Sequence, residues 1–353
     1  METPRRILII KLGSIGDVVH TLPSLAALKE AFPRAEVDWL VERKCSVILR
    51  GNSWLSEIIE VDTQRWRRDW SPATIREIAR IISNLRAQRY DVALDFQGLW
   101  KSAIFGYLAA SSRLIGFDKA SLKEPGCRMF YDMRIVPAPE ARHVIDICKQ
   151  LLSAVGITSG AHHFELQVLP DDERYIEQQL TSRGIGDFIV VNPGGGWETK
   201  NWDPANYALL HDRLLAATGL PTVLTWGPGE EPLVDGILQS CAGALPITFA
   251  TSLPQLIALL KRAKLFVGGD TGPLHLAAAC RTPIVGIFGP TNPARNGPFC
   301  SQDIVVFHSV PCGPCYKRTC PVFQKECLRR VQVQEVYEAA LRRLKTADQA
   351  VSH

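Results

Sequence analysis

The chain has 353 residues, of which 46% are hydrophobic and 22% are charged. That length suits two domains, and the composition excludes a disordered chain. The formal net charge is +4, and the basic residues are spread along the sequence, which argues against a nucleic-acid-binding protein. No apolar run is long enough to cross a bilayer, and the segment METPRRILIIKLG has no signal-peptide cleavage site, so we expect a cytoplasmic protein.

The first half of the chain alternates strand-like and helix-like segments. The apolar, β-branched runs RILIIKL, AEVDWLVE, SEIIEVD and YDVALDFQ are typical of buried strands. Helices are predicted at residues 16–32, where apolar positions recur at helical spacing, and at residues 72–88, which begin with a proline. This βαβ repetition predicts an α/β domain whose parallel sheet is covered on both faces.

The second half repeats the pattern after a Pro- and Asp-containing link at residues 166–175. Its strand-like segments, DFIVVNPGG, PTVLTWGPG, LFVGGDTG and PIVGIFGP, each end in a glycine- or proline-rich turn. The segment VQEVYEAALRRLK predicts a final amphipathic helix. We therefore predict domains at residues 1–167 and 176–332, then a helix and tail at 333–353, with a ligand-binding cleft between the two α/β halves.

Ligands of open parallel sheets bind beyond the carboxyl ends of the strands, so polar residues at those ends are candidates for chemistry, beginning with the first strand. Asp17 lies there, in KLGSIGDVVH, at the start of a predicted helix. A carboxylate in this position is either a helix cap or a general base. The two glycines are spaced G-x-x-G, so the dinucleotide fingerprint G-x-G-x-x-G is not met. That mismatch argues against a Rossmann dehydrogenase.

The glycine-rich turn NPGGGWETKNW is the first polar strand end of the second half. Its glycines let the backbone approach a ligand, and Lys200 supplies a mobile positive charge. This combination favours a diphosphate site over a flexible turn with a solvated lysine. Glu230 and Glu231 follow the next strand, where they either hold sugar hydroxyls or simply begin a helix.

The segment FVGGDTGPLH is the third polar strand end of this half. Asp270 ends the strand, and the amides of Thr271 and Gly272 would point at a ligand from a helix N-terminus. His275 lies one turn further on. The three ends together predict a sugar-nucleotide site. No acidic cluster with metal-ligand spacing lies near Lys200, so we expect catalysis without a required metal.

Several segments carry a resemblance to a known family: SIGDVVHTLPSL, DFQGLWKSA, KNW, WGPGEE, DTGPLHLAAA and GIFGPTNP. In this order and spacing they resemble the lipopolysaccharide heptosyltransferases of glycosyltransferase family 9. Those are inverting enzymes of the GT-B fold, in which two Rossmann-like domains face each other across a cleft. The N-terminal motifs are most similar to type I members, which transfer heptose from ADP-L-glycero-β-D-manno-heptose to the Kdo of the lipopolysaccharide inner core. The resemblance implies ADP-heptose as donor substrate and no required cofactor.

The resemblance also implies residue roles. Asp17 matches the catalytic base, Lys200 the lysine on the donor phosphates, and Glu231 the acid that holds the adenosine ribose. The other matching donor-binding positions are Gly195, Gly196, Thr251, Asp270, Thr271, Gly272 and His275. Type I members carry hydroxyl side chains at the first two of these positions and a methionine at the third. Backbone contacts are therefore what the resemblance implies there.

The segment TQRWRRDW interleaves arginine with tryptophan. Such a segment suits nucleic acid or a solvated loop, but the resemblance favours an acceptor, Kdo-bearing lipid A, that is rich in carboxylates and phosphates. The predicted acceptor-binding residues are Arg65, Arg67, Arg68, Lys101 and Lys123. Because this acceptor is embedded in a membrane, the tryptophans predict a peripheral protein on the inner membrane.

Four of the ten cysteines are clustered with the spacing C-x2-C-x4-C-x6-C. They are Cys312, Cys315, Cys320 and Cys327. Such thiols could hold zinc or an iron–sulfur cluster, but the spacing matches no standard zinc ribbon, and a local structural role is the favoured interpretation. No metal site is therefore predicted.

Two alternatives to a type I heptosyltransferase stay open on the sequence alone. The first is a type II-like or other family 9 enzyme that adds a later sugar, because acceptor loops set that choice and similar cysteine-rich segments occur more often in type II sequences. The second is a non-catalytic protein that binds a nucleotide sugar. Such a protein would keep Lys200 and Asp270 but would have no need of Asp17.

Overall fold

The computed structural model describes residues 3–158, 160, 162–320, 322 and 324–351. The chain divides into two compact units, the first ending at Gln167 and the second beginning at Val168. Each unit is built around a six-stranded sheet in which every pair of neighbouring strands is parallel.

The first unit has the strand order β3-β2-β1-β4-β5-β6. Its strands are β1 (Arg6–Ile10), β2 (Glu36–Glu42), β3 (Glu57–Val61), β4 (Val92–Asp95), β5 (Leu114–Phe117) and β6 (Met133–Ile135). Its helices are α1 (Ile15–Ala31), α2 (Arg43–Ser46), α3 (Thr63–Trp66), α4 (Pro72–Ala87), α5 (Trp100–Leu108) and α6 (Val144–Gln150). Short 3-10 helices lie at Lys119–Ser121, Pro125–Phe130 and Leu151–Val155.

The second unit has the strand order β12-β11-β10-β7-β8-β9. Its strands are β7 (Ile189–Asn192), β8 (Thr222–Leu224), β9 (Ile247–Thr248), β10 (Leu265–Gly269), β11 (Ile284–Phe288) and β12 (Ile304–Phe307). Its helices are α7 (Pro170–Thr181), α8 (Pro204–Thr218), α9 (Glu231–Ser240), α10 (Leu253–Arg262), α11 (Gly272–Ala279), α12 (Pro293–Asn296), α13 (Glu326–Arg329) and α14 (Val333–Val351). A 3-10 turn lies at Glu198–Lys200.

The central strands are mostly apolar, as expected for a parallel sheet that helices cover on both faces. In β1 the residues from Ile7 to Ile10 are fully buried, and in β10 the same holds from Leu265 to Val267. The predicted helix that begins at Pro72 has a side-chain cap, since the Ser71 hydroxyl accepts the Thr74 amide ahead of α4.

Two segments differ from the sequence-based expectation. The predicted link at residues 166–175 is a link only as far as Leu169, because Pro170 occupies the first position of α7. The C-terminal helix α14 packs on β10, β11, β12 and α8, so it is a layer of the second unit. The buried Val336, Ala339 and Ala340 form its inner face.

Both sheets change direction at their centre. From β1 the chain adds β2 and β3 on one side before β4 begins the other side, and β7 and β10 stand in the same relation in the second sheet. Such a switch point leaves a crevice at the carboxyl ends of the two central strands, where loops and helix N-termini diverge. Asp17 and Lys200 follow β1 and β7, whereas Asp270 directly follows β10.

Candidate active site

Asp17 lies in the first turn of α1, beyond the carboxyl end of β1. One of its oxygens, Oδ2, accepts hydrogen bonds from the Ser14 amide at 2.7 Å and the Ser14 hydroxyl at 3.1 Å. Its Oδ1 lies 4.0 Å from the Lys11 ammonium, and 37% of the side chain is exposed. Asp17 is therefore a helix cap through one oxygen, while the other oxygen is available to a ligand.

Lys11 is a buried lysine beside Asp17. Its Nζ donates to the Phe96 carbonyl at 2.8 Å, which ties the end of β1 to the end of β4. Gln97 strengthens the same junction, since its Oε1 accepts the amides of Leu12 and Gly13 at 3.0 and 3.2 Å. The segment from Lys11 to Gly13, which follows β1, is thus fixed by hydrogen bonds to the end of β4.

The surroundings of Asp17 keep its carboxyl group ionised. Loss of hydration alone would raise its pKa, but the Lys11 charge and the Ser14 amide outweigh that effect, and Lys123 adds to it. The net pKa is lowered from the ordinary aspartate value. A carboxylate with a lowered pKa is unprotonated at neutral pH, which is the state that a general base requires.

Lys200 and Asp270 form a buried ion pair at the switch point of the second sheet. The Lys200 Nζ donates to the Asp270 carbonyl at 2.6 Å and lies 3.0 Å from its Oδ2. The ammonium also stands over the Trp197 ring, 4.4 Å from its centroid. The mobile lysine expected from the sequence is therefore held on two sides. An ammonium has three N–H donors, so one remains for a ligand.

The Asp270 carboxylate also contacts side chains of two helices, α11 and α12. His275 Nε2 lies 3.2 Å from Oδ1, and the Asn296 amide reaches Oδ2 at 3.4 Å. Burial alone would raise the pKa of Asp270, but the hydrogen bond and charge of His275 and the charge of Lys200 lower it strongly. Asp270 is thus a fixed anion, and it brings together three of the predicted site residues.

The first turn of α11 presents backbone amides next to this cluster. Thr271 is its N-cap residue, Gly272 its first residue and Pro273 its second. The first N–H groups of a helix have no partner inside the helix, and Pro273 has none to offer. The amides of Gly272 and Leu274 are therefore directed out of the N-terminus, where the helix dipole favours an anion.

The glycine-rich loop after β7 needs its glycines for close approach. A Cβ on Gly195 would lie 2.2 Å from Asn201 Oδ1, and one on Gly194 would lie 2.1 Å from Glu230 Oε2. Gly196 faces open space but has a φ of +66°, a conformation that favours glycine. Only residues without a side chain let this backbone pass between Lys200 and the loop after β8.

Glu231 and Thr251 lie at other loops of the same unit. Glu231 is exposed at the first position of α9, whereas Glu230 turns inward and accepts the Gly227 amide at 2.7 Å. Thr251 is half-buried, two residues before α10. Their assignment to the donor stays a prediction.

The predicted acceptor-binding residues fall into two groups in the first unit. Two are engaged in ion pairs, since Arg65 pairs with Glu77 and the Lys101 Nζ lies 2.9 Å from the buried Glu42. Arg67, Arg68 and Lys123 are exposed.

The tryptophans of the TQRWRRDW segment have opposite environments. Trp66 is buried in the core and stacks near Phe105, whereas Trp70 is exposed. Trp66 therefore cannot rest at a membrane interface, and that part of the sequence-based interpretation is wrong. The alternating pattern places the first ring on the inner face of α3 and leaves the second in the loop beyond it.

The cysteine-rich segment packs against the loop that carries Lys200 in the second unit. The Thr199 hydroxyl donates to the Lys317 carbonyl at 2.6 Å, and the Arg318 guanidinium lies over the Trp197 ring. The Tyr316 amide donates to the Pro290 carbonyl at 3.0 Å. Within the residues that the structure describes, no group of three or more His, Cys, Asp or Glu side chains is arranged to hold a metal ion.

Comparison with known proteins identifies the family. A profile of glycosyltransferase family 9 (heptosyltransferase) matches residues 78–325. Over 317 residues the chain is 31% identical to lipopolysaccharide heptosyltransferase 1 of Pseudomonas aeruginosa, covering 89% of this chain and 87% of that protein. Over 311 residues it is 30% identical to lipopolysaccharide heptosyltransferase 1 of Escherichia coli, covering 85% and 92%. The chain belongs to glycosyltransferase family 9.

Solved structures agree with this family assignment. A structure of an Escherichia coli heptosyltransferase with ADP matches with a TM-score of 0.76 and 26% identity, covering 96% of this chain and 99% of that one. Escherichia coli heptosyltransferase II matches with a TM-score of 0.77 at 21% identity, which shows the fold alone. The predicted GT-B fold, with its two Rossmann-like units, and the prediction of a glycosyltransferase are confirmed.

Three residues of this family 9 site were not singled out from the sequence. Asn192 ends β7, and its Nδ2 donates to the Thr225 carbonyl at 2.9 Å while the Thr271 hydroxyl stands 3.5 Å from its Oδ1. Asn296 and Trp197 contact Asp270 and Lys200. All three lie at or soon after the carboxyl end of a strand, and that position was the available signal.

Among the described residues, no helix combines the length and the apolar character that a membrane span requires.

Proposed function

We propose that this chain transfers heptose from ADP-heptose to the Kdo of the lipopolysaccharide inner core, with inversion at the anomeric carbon. The observation that carries the proposal is a pair of complementary sites in a chain 30–31% identical to two lipopolysaccharide heptosyltransferase 1 proteins. One site has an ionised, partly open carboxylate, Asp17. The other has a lysine with a remaining donor, Lys200, beside the N-terminus of α11.

The donor is proposed to bind to the second unit. The diphosphate takes the third N–H of Lys200 and the amides at the start of α11, because both supply positive charge in a half-buried setting. The carboxylate of Asp270 and the ring of His275 accept or donate to heptose hydroxyls, and Glu231 holds the ribose. Gly195, Gly196 and Thr251 contact the donor through the backbone. The Escherichia coli relative of known structure is described with ADP.

The transfer step is a single displacement. The acceptor hydroxyl oxygen attacks the anomeric carbon from the face opposite the diphosphate, and the bond between that carbon and the phosphate oxygen breaks. The electron pair of that bond leaves with ADP, and the hydroxyl proton passes to Oδ1 of Asp17. The Lys200 ammonium and the α11 amides stabilise the charge that develops on ADP.

The acceptor is proposed to be Kdo-bearing lipid A, held by the first unit. Arg67, Arg68 and Lys123 are exposed cations suited to its carboxylates and phosphates. Arg65 and Lys101 would exchange their present partners, Glu77 and Glu42, for acceptor oxygens. A lipid-linked acceptor also places the enzyme at the cytoplasmic face of the inner membrane, as a peripheral protein.

Because Lys200 and the helix amides carry the leaving-group charge in this proposal, we expect transfer to need no added metal. Purified protein should keep its rate when EDTA is added to the assay. A rate that collapses in EDTA and returns with one divalent cation would contradict this part of the proposal.

The test of the reaction is an assay of purified protein with ADP-heptose and Kdo-lipid A, with the anomeric configuration of the product read by NMR. Transfer with inversion is the expected result. Binding of ADP-heptose with no transfer to this acceptor would favour a family 9 enzyme that adds a later sugar. Binding with no transfer to any truncated core acceptor would favour a nucleotide-sugar-binding protein, and no binding at all would overturn the donor assignment.

A further inference from the structure

Helix α5 presents an apolar face to solvent, although it belongs to the core layer of the first unit. Trp100, Ile104 and Tyr107 are spaced four and three residues apart, so they share one side of the helix. All three are exposed, Tyr107 to 61%. The opposite side of α5 is the buried one, with Ser102, Phe105 and Gly106 among its buried residues.

The 3-10 helix Pro125–Phe130 extends this surface. The Phe130 ring lies 5.9 Å from that of Trp100 and 5.4 Å from that of Tyr107, centroid to centroid. The neighbouring Met129 is 69% exposed. We call the set of Trp100, Ile104, Tyr107, Met129 and Phe130 the apolar face. Contiguous exposed apolar side chains of this kind mark interaction sites in soluble proteins.

Two contacts of Trp100 fix the apolar face in its observed arrangement. The Trp100 ring covers Gly126, where an added Cβ would lie 2.5 Å from the ring. The Glu124 carboxylate accepts the Trp100 amide at 2.7 Å, which caps the start of α5. These aromatic side chains are therefore preorganised at the surface, and little side-chain entropy is lost when a partner covers them.

Two exposed lysines lie beside the apolar face. Lys119 and Lys123 are exposed, and within the described part of the chain no ion pair involves either of them. Over residues 118–134 the basic side chains Lys119, Lys123, Arg128 and Arg134 outnumber the acids Asp118, Glu124 and Asp132. The net local charge that meets a partner is therefore positive.

This surface begins at the same edge of the sheet as Asp17. Helix α5 starts five residues after the end of β4, and the Leu122 side chain packs on Gly98 in the connecting loop. Lys123, at the start of the same segment, is close enough to contribute to the lowered pKa of Asp17. A molecule anchored on the apolar face would thus have its polar part near this carboxylate.

We propose that the apolar face docks the protein on an anionic lipid bilayer, with its aromatic and methionine side chains in the interface and Lys119 and Lys123 among the lipid headgroups. Aromatic rings beside lysines suit this boundary, because the rings take the apolar side and the ammonium groups the charged side. The purpose of the docking rests on the proposed function, since a lipid-linked acceptor would then be delivered to Asp17.

A second copy of the chain fits this surface less well. A symmetric pair would bring the same patch of both copies together, and with it the unpaired cations of each copy. Like charges at close range oppose such a contact, whereas anionic headgroups complement them. The charge pattern therefore selects a bilayer as the occupant.

The experiment compares binding of the full chain to vesicles of phosphatidylcholine alone and of phosphatidylcholine mixed with phosphatidylglycerol. Cosedimentation without any substrate is the readout. We expect binding to the anionic vesicles that weakens as salt is raised.

The double variant Tyr107→Asp/Met129→Asp should lower the partition constant about tenfold or more, because two apolar side chains no longer enter the interface. The matched control is Leu245→Asp in the second unit, where Leu245 is 60% exposed, and it should bind like the wild type.

A second assay separates docking from catalysis. The double variant should transfer heptose to a deacylated, water-soluble acceptor at the wild-type rate but lose rate on the acylated acceptor embedded in vesicles. Equal vesicle binding by wild type and double variant would overturn the proposal, as would a self-association of the wild type that the double variant abolishes without any effect on vesicles. If the wild type binds vesicles through this face but transfers nothing, the docking stands and the proposed function fails.

Discussion

Asp17 and Asp270 occupy similar places in the fold and have opposite environments. Each lies at the carboxyl edge of a central parallel strand, beside a helix N-terminus and within 4 Å of a lysine ammonium. The pKa of each is lowered. Yet the Asp17 side chain is 37% exposed and the Asp270 side chain only 4%.

The two aspartates differ in how many of their carboxylate oxygens have a partner within the protein. Both oxygens of Asp270 are engaged, Oδ2 with Lys200 and Oδ1 with His275, so the carboxylate serves as a fixed anion. Asp17 has one oxygen in a helix cap and the other facing solvent at 4.0 Å from Lys11. A group that takes up a proton during a reaction needs a free oxygen and access to the substrate, and a group that orients a ligand needs neither. The same residue type is therefore suited to catalysis in one unit and to binding in the other.

The largest effect should come from Asp17→Asn. The amide oxygen can still accept the Ser14 amide, so the cap is kept, but it cannot take up a proton at neutral pH. We expect kcat to fall about 1,000-fold, within the range for loss of a general base, while the Kd for ADP-heptose changes little.

Two measurements qualify that result. Thermal unfolding of Asp17→Asn should show a cooperative transition at a somewhat lower temperature than the wild type, because Lys11 loses a neighbouring negative charge. A folded variant that lacks activity separates lost chemistry from lost structure. A variant that retains a tenth or more of the wild-type kcat would show that Asp17 is a cap and not the base.

The next effect concerns Asp270→Asn. This change leaves the Lys200 ammonium half-buried without its counter-charge, and breaking one side of such a pair costs about 3 kcal/mol of stability. Because the pKa of Asp270 is lowered on folding, its stabilisation is complete above the ordinary aspartate pKa of about 3.9 and is lost as the pH falls through and below it. Urea unfolding at pH 7 and at pH 3 tests both statements.

The gap between wild type and Asp270→Asn should be large at pH 7 and smaller at pH 3. A constant gap at the two values would mean that the ion pair contributes through packing alone. The wild-type protein itself should lose stability over the same acid range.

Much of this architecture was predictable from the sequence, for reasons that are local. Buried parallel strands are continuous apolar runs, so β1 and β10 can be recognised from the sequence, and polar residues in the segment that follows such a run lie at the ligand-binding edge. Asp17, Lys200 and Asp270 were identified by that rule.

What could not be predicted depends on contacts between distant residues. Nothing near Lys101 in sequence shows that its ammonium reaches Glu42, which lies 59 residues away. Local sequence equally cannot decide that Glu230 turns inward while Glu231 faces solvent. The interleaved pattern of TQRWRRDW predicted one exposed surface, whereas folding buries Trp66. These outcomes follow from tertiary packing, which overrides local pattern.

A smaller effect is expected for Gly195→Ala, which tests whether the donor loop depends on close backbone approach. The new Cβ would meet Asn201 Oδ1 at 2.2 Å and Lys200 Cβ at 2.8 Å, so the loop must shift. We expect a loss of about 1–3 kcal/mol in stability and a higher KM for the donor with kcat less affected. Gly186→Ala is the control, because a Cβ there meets nothing within 4 Å. Equal effects of the two substitutions would rule out the close approach as the cause.

The smallest effect on rate at neutral pH, but the most informative about Asp17, should come from Lys11→Met. Removing a positive charge 4.0 Å from Oδ1 destabilises the ionised carboxylate, so the pKa of Asp17 rises. A base works only when unprotonated, and the acid limb of kcat/KM should therefore move to higher pH. Lys123 and the Ser14 amide also contribute to the lowered pKa of Asp17 and remain in the variant, so this pKa stays below that of a buried carboxyl without partners.

Lys29→Met, at the far end of α1, is the matched control and should leave the acid limb of the pH profile in place. Lys11→Arg keeps the charge and should restore most of the wild-type profile. A profile of Lys11→Met that falls uniformly at all pH values would mean that Lys11 acts only through its hydrogen bond to Phe96, as a link between β1 and β4.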